Sequence, residues 1–343
     1  MSSYITLSHI QVQSANCVAG ITYGFPAITS FLGFVRALSI KLKKSHGITL
    51  DGCAVIAHQH QVLTYRPIQI GKDGKKKMLD HHFSQTRNPA YTDVQAKALN
   101  SKEHKPPSVI EEGKMHLTVS LLIECQGFSG TDDDKRNLEK HIKNHCFTHR
   151  LAGGVITDIK NVIYENIQND NAFYRCRRRL LPGFILMDRS HYLPEYLSVL
   201  QQDNDKAEML DSWLDFCAIK YKAEAQLEKD KELTSKTKAS WNDIKKPKMG
   251  YLVPITTGYQ AISDVYPAGV VKNTRDNETP FCFTEAIYGI GEWLSPHHLT
   301  NLGSAIWRYH YADERYYLCK QEIIGNNDKV EQADDIDELF FEY

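Results

Sequence analysis

Residues 4–13, Tyr-Ile-Thr-Leu-Ser-His-Ile-Gln-Val-Gln, alternate apolar and polar positions, the period of a half-buried strand. After a turn at Gly24-Phe25-Pro26 the period changes. Ile28, Phe31, Leu32, Val35, Leu38, Ile40 and Leu42 largely follow helical spacing, and Pro26 suits the first turn of a helix. Lys41, Lys43, Lys44 and Gly47 then supply stop signals, cations at the negative end of the helix dipole and a glycine just beyond. Asp51-Gly52 opens a second strand over 53–63, and Met115–Cys125 reads as a third. A second helix fits Asp133–Cys146, with Gly153–Tyr164 and Arg179–Met187 as further strands. This succession matches the β-α-β-β-α-β pattern of a ferredoxin-like fold, so the class expected is α+β.

Between the second and third strands lies an oversized insertion, 64–114. It carries ten basic and six acidic residues, a net of +4. A connection this long is usually functional or disordered, and Gly71, Gly74, Pro89, Pro106 and Pro107 favour an extended arm or hairpin over a helix. Downstream, 206–228 reads as helical with Trp213, Phe216 and Ile219 on one side. The stretch Lys220–Lys248 is a solvated Lys/Glu run. Strand-like pieces follow at 251–257 and 268–273, then helices near 281–289 and 297–309. The tail from Asp328 to Tyr343 has a net charge of −6.

Composition narrows the classes. The 343 residues are 42% hydrophobic and 24% charged, an ordinary globular balance that excludes wholesale disorder, collagen and a disulfide mini-scaffold. Net charge is −1, so any nucleic-acid role must rest on local patches. No signal-peptide pattern and no membrane-length apolar run is visible, and the eight cysteines lie scattered without a C-x-x-C pair. A cytoplasmic protein with reduced thiols is expected.

The familiar catalytic signatures fail: there is no phosphate-binding loop, no dinucleotide fingerprint, no H-E-x-x-H and no G-x-S-x-G. Asp203-Asn204-Asp205 starts like a calcium loop, but Ala207 and Glu208 break it. Fifteen histidines invite a metal or acid–base role. His58 and His60 share a strand face, yet no ligand-spaced constellation accompanies them, and packed or surface histidines are the preferred reading; no metal or cofactor is expected. Phe31-Leu32-Gly33-Phe34-Val35 imitates an RNA-contact motif, but it sits on a helix rather than a central strand. The sharpest positive signal is Arg175-Cys176-Arg177-Arg178-Arg179 ahead of Leu180-Leu181-Pro182-Gly183-Phe184. Arginine forks bind phosphate bidentately and stack on bases. On a strand, Arg175, Arg177 and Arg179 would share a face, with Arg178 opposite; a merely solvated charge run is the bland alternative. Lys272-Asn273-Thr274-Arg275-Asp276-Asn277-Glu278 forms a second polar cluster, which reads more simply as a turn.

Several stretches together resemble one family: Gly24-Phe25-Pro26 with Phe31-Leu32-Gly33-Phe34, Thr86-Arg87-Asn88-Pro89, Glu111-Glu112-Gly113-Lys114 and Leu151-Ala152-Gly153-Gly154. Arg178-Arg179-Leu180-Leu181-Pro182-Gly183-Phe184, Gly250-Tyr251-Leu252-Val253-Pro254, Arg275-Asp276-Asn277-Glu278-Thr279-Pro280 and Gly289-Ile290-Gly291-Glu292-Trp293-Leu294-Ser295-Pro296-His297 continue the likeness in order. The chain resembles the second, Cas-five-like backbone subunit of the Csy surveillance complex of type I-F CRISPR systems. It departs in 64–114, 220–248 and the acidic tail.

The resemblance implies a modified RNA-recognition core over 1–190, with 64–114 as a thumb, and an extension of helices and strands over 191–343. It also implies a non-catalytic scaffold that pairs with the large first subunit and holds the 5′ handle of the CRISPR RNA. A neighbouring repeated backbone subunit is a further implied partner; contact with target DNA beside the protospacer-adjacent motif stays open. RNA contacts are assigned to Arg175, Arg177, Arg178 and Arg179, with Arg87, Lys114, Lys272 and Arg275. Partner contacts are assigned to Lys75, Lys76, Lys77 and Asn88. The alternatives are a histidine-dependent endoribonuclease using His58, His60 or His116, and a protein-interaction module without RNA contact.

Overall fold

The computed structural model describes residues 2–71, 74, 76–78, 80–87, 109–225, 238–274, 276–313 and 315–322. In chain order, β1 (Ser2–Asn16) leads through short β2 (Val18–Ala19) and β3 (Thr22–Tyr23) to α1 (Ile28–His46) and β4 (Thr49–Val62). The insertion contributes β5 (Thr64–Tyr65), β6 (Ile68–Ile70), β7 (Lys76–Met78), β8 (His82–Arg87) and β9 (Val109–Glu112). Next come β10 (Lys114–Gln126), α2 (Asp132–Cys146), β11 (Arg150–Leu151), β12 (Gly154–Ile167), α3 (Asp170–Arg179) and β13 (Phe184–Asp188). They are followed by α4 (Tyr192–Asp203), α5 (Met209–Cys217), β14 (Lys220–Ala225) and β15 (Ala239–Ile244). The last strands are β16 (Leu252–Ala261), β17 (Thr284–Leu294), β18 (Trp307–Ala312) and β19 (Tyr316–Gln321).

The helix α1 forms where the sequence places it. Phe31, Leu32, Val35, Leu38 and Leu42 are buried along one stripe, and Gly47 ends the helix at φ 69°, its N–H donating to the Lys43 carbonyl. Buried Ser39 ties the helix to β4: its Oγ donates to the Leu50 carbonyl and accepts from the Leu50 N–H. In α2, Thr131 caps the first turn reciprocally with Asp134, so both orphan amides find an oxygen.

Ten strands make one antiparallel sheet in the order β11-β12-β1-β10-β4-β13-β17-β16-β19-β18. The four strands of the β-α-β-β-α-β stretch lie together as β12-β1-β10-β4. A further pairing of β18 with β4, at Trp307 opposite Cys53, closes the remaining strands into a ring of six: β4, β13, β17, β16, β19 and β18. Trp307 is fully buried there, in the same apolar cluster as Leu186, Ile255 and Cys319, and its Nε1–H donates to the Leu186 carbonyl at 3.0 Å.

One face of the four central strands is the main core. Leu7, Ile10, Val55, Leu121 and Val119 meet α1 and, through Leu138 and Ile142, α2. Part of the other face is covered too. Tyr4, Ala54, Ile56 and Leu122 pack against Cys176 and Leu180 of α3 and against Leu299, Leu302 and Ile306. The helix α3 therefore lies on the side of the sheet away from α1 and α2.

Several expectations are corrected. The arginine run is the end of α3 and not a strand; β13 starts only at Phe184. The expected helix near 281–289 is strand β17, held between β13 and β16. The expected helix at 297–309 is two short 3-10 turns, Pro296–His298 and Gly303–Ala305, followed by β18. The expected single helix over 206–228 stops at Cys217, and β14 pairs with β15 within the Lys/Glu run. No strand spans 268–273, which is a turn. The described part of the insertion pairs as β6 with β7 around Gly74, with β8 joining β5 to β9; the remainder of the expected arm, 88–108, lies outside the described residues.

Candidate nucleic-acid interface

The arginines are placed by the helix that carries them. Asn169 caps α3, its Oδ1 accepting from the Ala172 N–H at 2.9 Å. Ala172, Cys176 and Leu180 recur every four residues and are buried, which turns the intervening arginines outward. Three of these cations, Arg177, Arg178 and Arg179, sit in the last turn, where the helix dipole favours positive charge.

Their environments differ. Glu165 of β12 is only 7% exposed and lies between Arg175, at 3.2 Å, and Arg179. Its Oε2 and the Arg179 Nη1 are both buried and face one another, so this pair is an ion contact rather than an aligned hydrogen bond. Arg177 donates to the carbonyls of His297 and Leu299 at 3.0 and 3.1 Å and lies over the rings of Phe173 and Tyr174. These contacts staple α3 to the first 3-10 turn. Arg178 is exposed, and among the described residues its side chain has no ion-pair partner. The expected face-sharing of the odd-numbered three does not hold on a helix. Arg175 and Arg179 share one side, and Arg177 turns to the other.

The other candidates are dispersed. Lys114 opens β10, half-buried, 3.8 Å from Glu112. Lys272 is exposed in the turn after β16. Lys76 is exposed on β7, and Lys77 and Arg87 belong to strands whose side chains there lie outside the described set. Arg275, Lys75 and Asn88 lie outside the described residues. Among the described residues no hydrogen bond or ion pair joins α3 to Lys114, Lys76 or Lys272.

The histidines named from the sequence lie at two adjoining cavities, His58 at one and His60 and His116 at the other. His58 stacks on His9 with ring centroids 4.0 Å apart, and His60 and His116 line an adjoining cavity. Hydrogen bonding fixes the His58 tautomer. Nδ1 faces the Pro182 carbonyl and must donate, so Nε2 accepts from the Ser120 hydroxyl at 2.6 Å. Ser120 in turn accepts from the His9 N–H at 2.9 Å. Burial pushes the His58 pKa below its ordinary value, with Lys160 adding to the effect against the Pro182 contact. His9 is likewise lowered, first by burial and then by His58. Both rings are thereby held neutral near pH 7. Among the described residues no group of three His, Cys, Asp or Glu side chains is arranged to hold a metal ion, and no helix is long and apolar enough to cross a membrane.

Comparison with known proteins places the chain in a family. The family model of CRISPR-associated protein Csy2 matches residues 5–319. A Csy2 protein of Pseudomonas aeruginosa (strain UCBPP-PA14) is 34% identical over 322 residues, covering 90% of this chain and 91% of that protein. Both are CRISPR-associated proteins. The chain belongs to the Csy2 family.

Proposed function

We propose that this chain is a non-catalytic RNA-binding scaffold of a type I-F CRISPR surveillance complex, paired with the large first subunit and holding the 5′ handle of the guide. Membership of the Csy2 family across residues 5–319 carries the reading and supports a subunit of the type I-F Csy complex. The strand order β12-β1-β10-β4, with α1 and α2 on one face, supports a ferredoxin-like core in its RNA-recognition variant. The arginine helix on the opposite face supplies cations for phosphate. Arg178 is its most available charge, while Arg175 and Arg179 share Glu165 and Arg177 is committed to backbone carbonyls. In RNA-guided complexes base pairing reads sequence while protein holds backbone and shape, so a near-neutral chain with a local cationic site at α3 fits the task.

His58 spends both ring nitrogens on Pro182 and Ser120, which leaves it none to shuttle a proton. That favours the scaffold over the endoribonuclease.

The test uses the heterodimer with the large subunit and labelled handle RNA. Each phosphate neutralised on a single strand contributes about 0.7 to the slope of log affinity against log salt. Arg178→Ala is expected to flatten that slope by about 0.7, and Arg178→Lys to keep it. An unchanged slope in the alanine variant removes Arg178 from the interface.

A further inference from the structure

Among the described residues the apolar cover on the sheet face shared with α3 is confined to one end. Beyond Tyr4, Ala54, Ile56 and Leu122, the same face continues with no apolar lid among the described residues, and its side chains turn polar. Strand register sets four of them in a row across the sheet. Asp158 pairs with Gln11, Gln11 with Thr118, and Thr118 with Gln59, on β12, β1, β10 and β4. Each neighbour is about 4.8 Å from the next in the hydrogen-bonding direction. Gln11, Gln59 and Asp158 are exposed.

Two cavities of about 560 and 290 Å³ adjoin over this row, sharing Gln11, Gln59 and Thr118 as walls. The stacked His9–His58 pair bounds the smaller one beside Pro182, the residue that links α3 to β13. Gly183 keeps that wall close, since a Cβ there would come within 2.7 Å of His58 Nδ1.

The backbone is distorted at this place. His9 and Ser14 adopt φ 50° and 55°, a left-handed conformation uncommon for side-chain-bearing residues, and each lies within a break in the β1–β10 register on either side of Gln11. Bulges of this kind re-aim side chains and gather at functional sites. The groove's own charges are few: Asp158 and Lys160 line its smaller cavity together. Amides, a hydroxyl and neutral imidazoles suit the donor and acceptor edges and flat faces of bases, not a phosphate, for which cations would be needed.

We propose that this polar part of the face is a nucleobase-binding groove, taking unstacked bases of single-stranded RNA against the Gln11–Thr118–Gln59 row with the His9–His58 pair as its end wall. The inference rests on the RNA-binding reading and adds a division of labour: α3 holds phosphate, and the groove distinguishes bases.

The test uses the purified heterodimer and labelled oligo(A), oligo(U) and oligo(C) of about eight nucleotides, a length within the reach of one small nucleic-acid-binding fold. These carry equal charge, so differences among them report base contacts. Wild-type protein is expected to prefer one of them by about tenfold, the scale of one well-made base contact. Gln11→Ala with Gln59→Ala changes only exposed side chains and is expected to reduce that preference to less than about twofold, with the salt slope unchanged. Equal binding of all three by the wild type, or a preference that survives in the double variant, overturns the groove while leaving RNA binding standing. Loss of the large subunit from the double variant with base preference intact makes the face a protein contact and also overturns it. A wild-type heterodimer that binds none of the oligonucleotides defeats the RNA-binding reading itself, and the groove with it.

Discussion

Trp307→Ala is expected to cost about 3–5 kcal/mol of folding stability, the range for removing a fully buried large aromatic. Trp307 is the largest fully buried side chain, and it sits where β18 closes on β4. The loss is one of volume more than of hydrogen bonding. The Leu186 carbonyl that receives the indole N–H also receives Gln321 Nε2 at 3.0 Å, so truncation leaves no orphaned acceptor. With native domains stable by only about 5–15 kcal/mol, such a cost is a large fraction of the whole. Trp307→Phe keeps most of the volume and is expected to lose less than half as much. Urea unfolding of the purified chain measures both, and a loss below about 1 kcal/mol for the alanine variant contradicts the ring closure described above.

The second large effect comes from a glycine at the same junction. A Cβ on Gly52 would stand 2.3 Å from the Trp307 carbonyl oxygen and 2.7 Å from Ile306 Cγ2. Backbone cannot retreat there without breaking the pairing of Cys53 with Trp307. Gly52→Ala is expected to cost about 1–3 kcal/mol through overpacking. Gly33 makes the contrasting case. It is exposed within α1 with nothing within 4 Å of the added atom, so Gly33→Ala is expected to stabilise by about 0.5–1 kcal/mol. Opposite signs in the same unfolding assay separate crowding at the junction from the general effect of replacing glycine. A neutral Gly52→Ala would count against the close approach of β18 to β4.

The elements legible in the sequence were those whose own residues carry both period and punctuation. The α1 stripe, its lysines and Gly47 mark one helix without outside help, and the alternation in β1 and β10 marks two strands. The arginine helix was less legible because charge hid its period. Its buried positions are Ala172, Cys176 and Leu180, two of them small or only weakly apolar, while five of its ten residues are charged. The usable signals were Asn169 as a cap and Pro182-Gly183 as a stop. The strand β17 was misread for another reason: it lies between β13 and β16, and that pairing, which local propensity does not register, decides its conformation. Ahead of β18 the chain makes only two 3-10 turns, and Leu299, Leu302 and Ile306 there pack onto the sheet face beside α3.

The candidate interface was legible in its parts rather than in its assembly. The arginine run could be read locally, but the expected shared face of His58 and His60 does not hold. A break in the β4–β10 register sets Gln59 opposite Thr118 and His60 opposite buried Leu117, while His58 faces Ser120 and Pro182. The polar row walled by His9 and His58 depends on register across four strands, on two breaks in β1 and on Pro182 reaching back to His58. None of these is encoded within a single segment.

Co-purification tests the central claim most directly. The tagged full chain is co-expressed with its operon neighbours, and the eluate is assayed for protein and RNA together. The account predicts that the large first subunit and guide RNA with an intact 5′ handle elute with this chain in constant proportion. Elution of the chain with neither, or with the large subunit but no guide RNA, contradicts an RNA-holding scaffold.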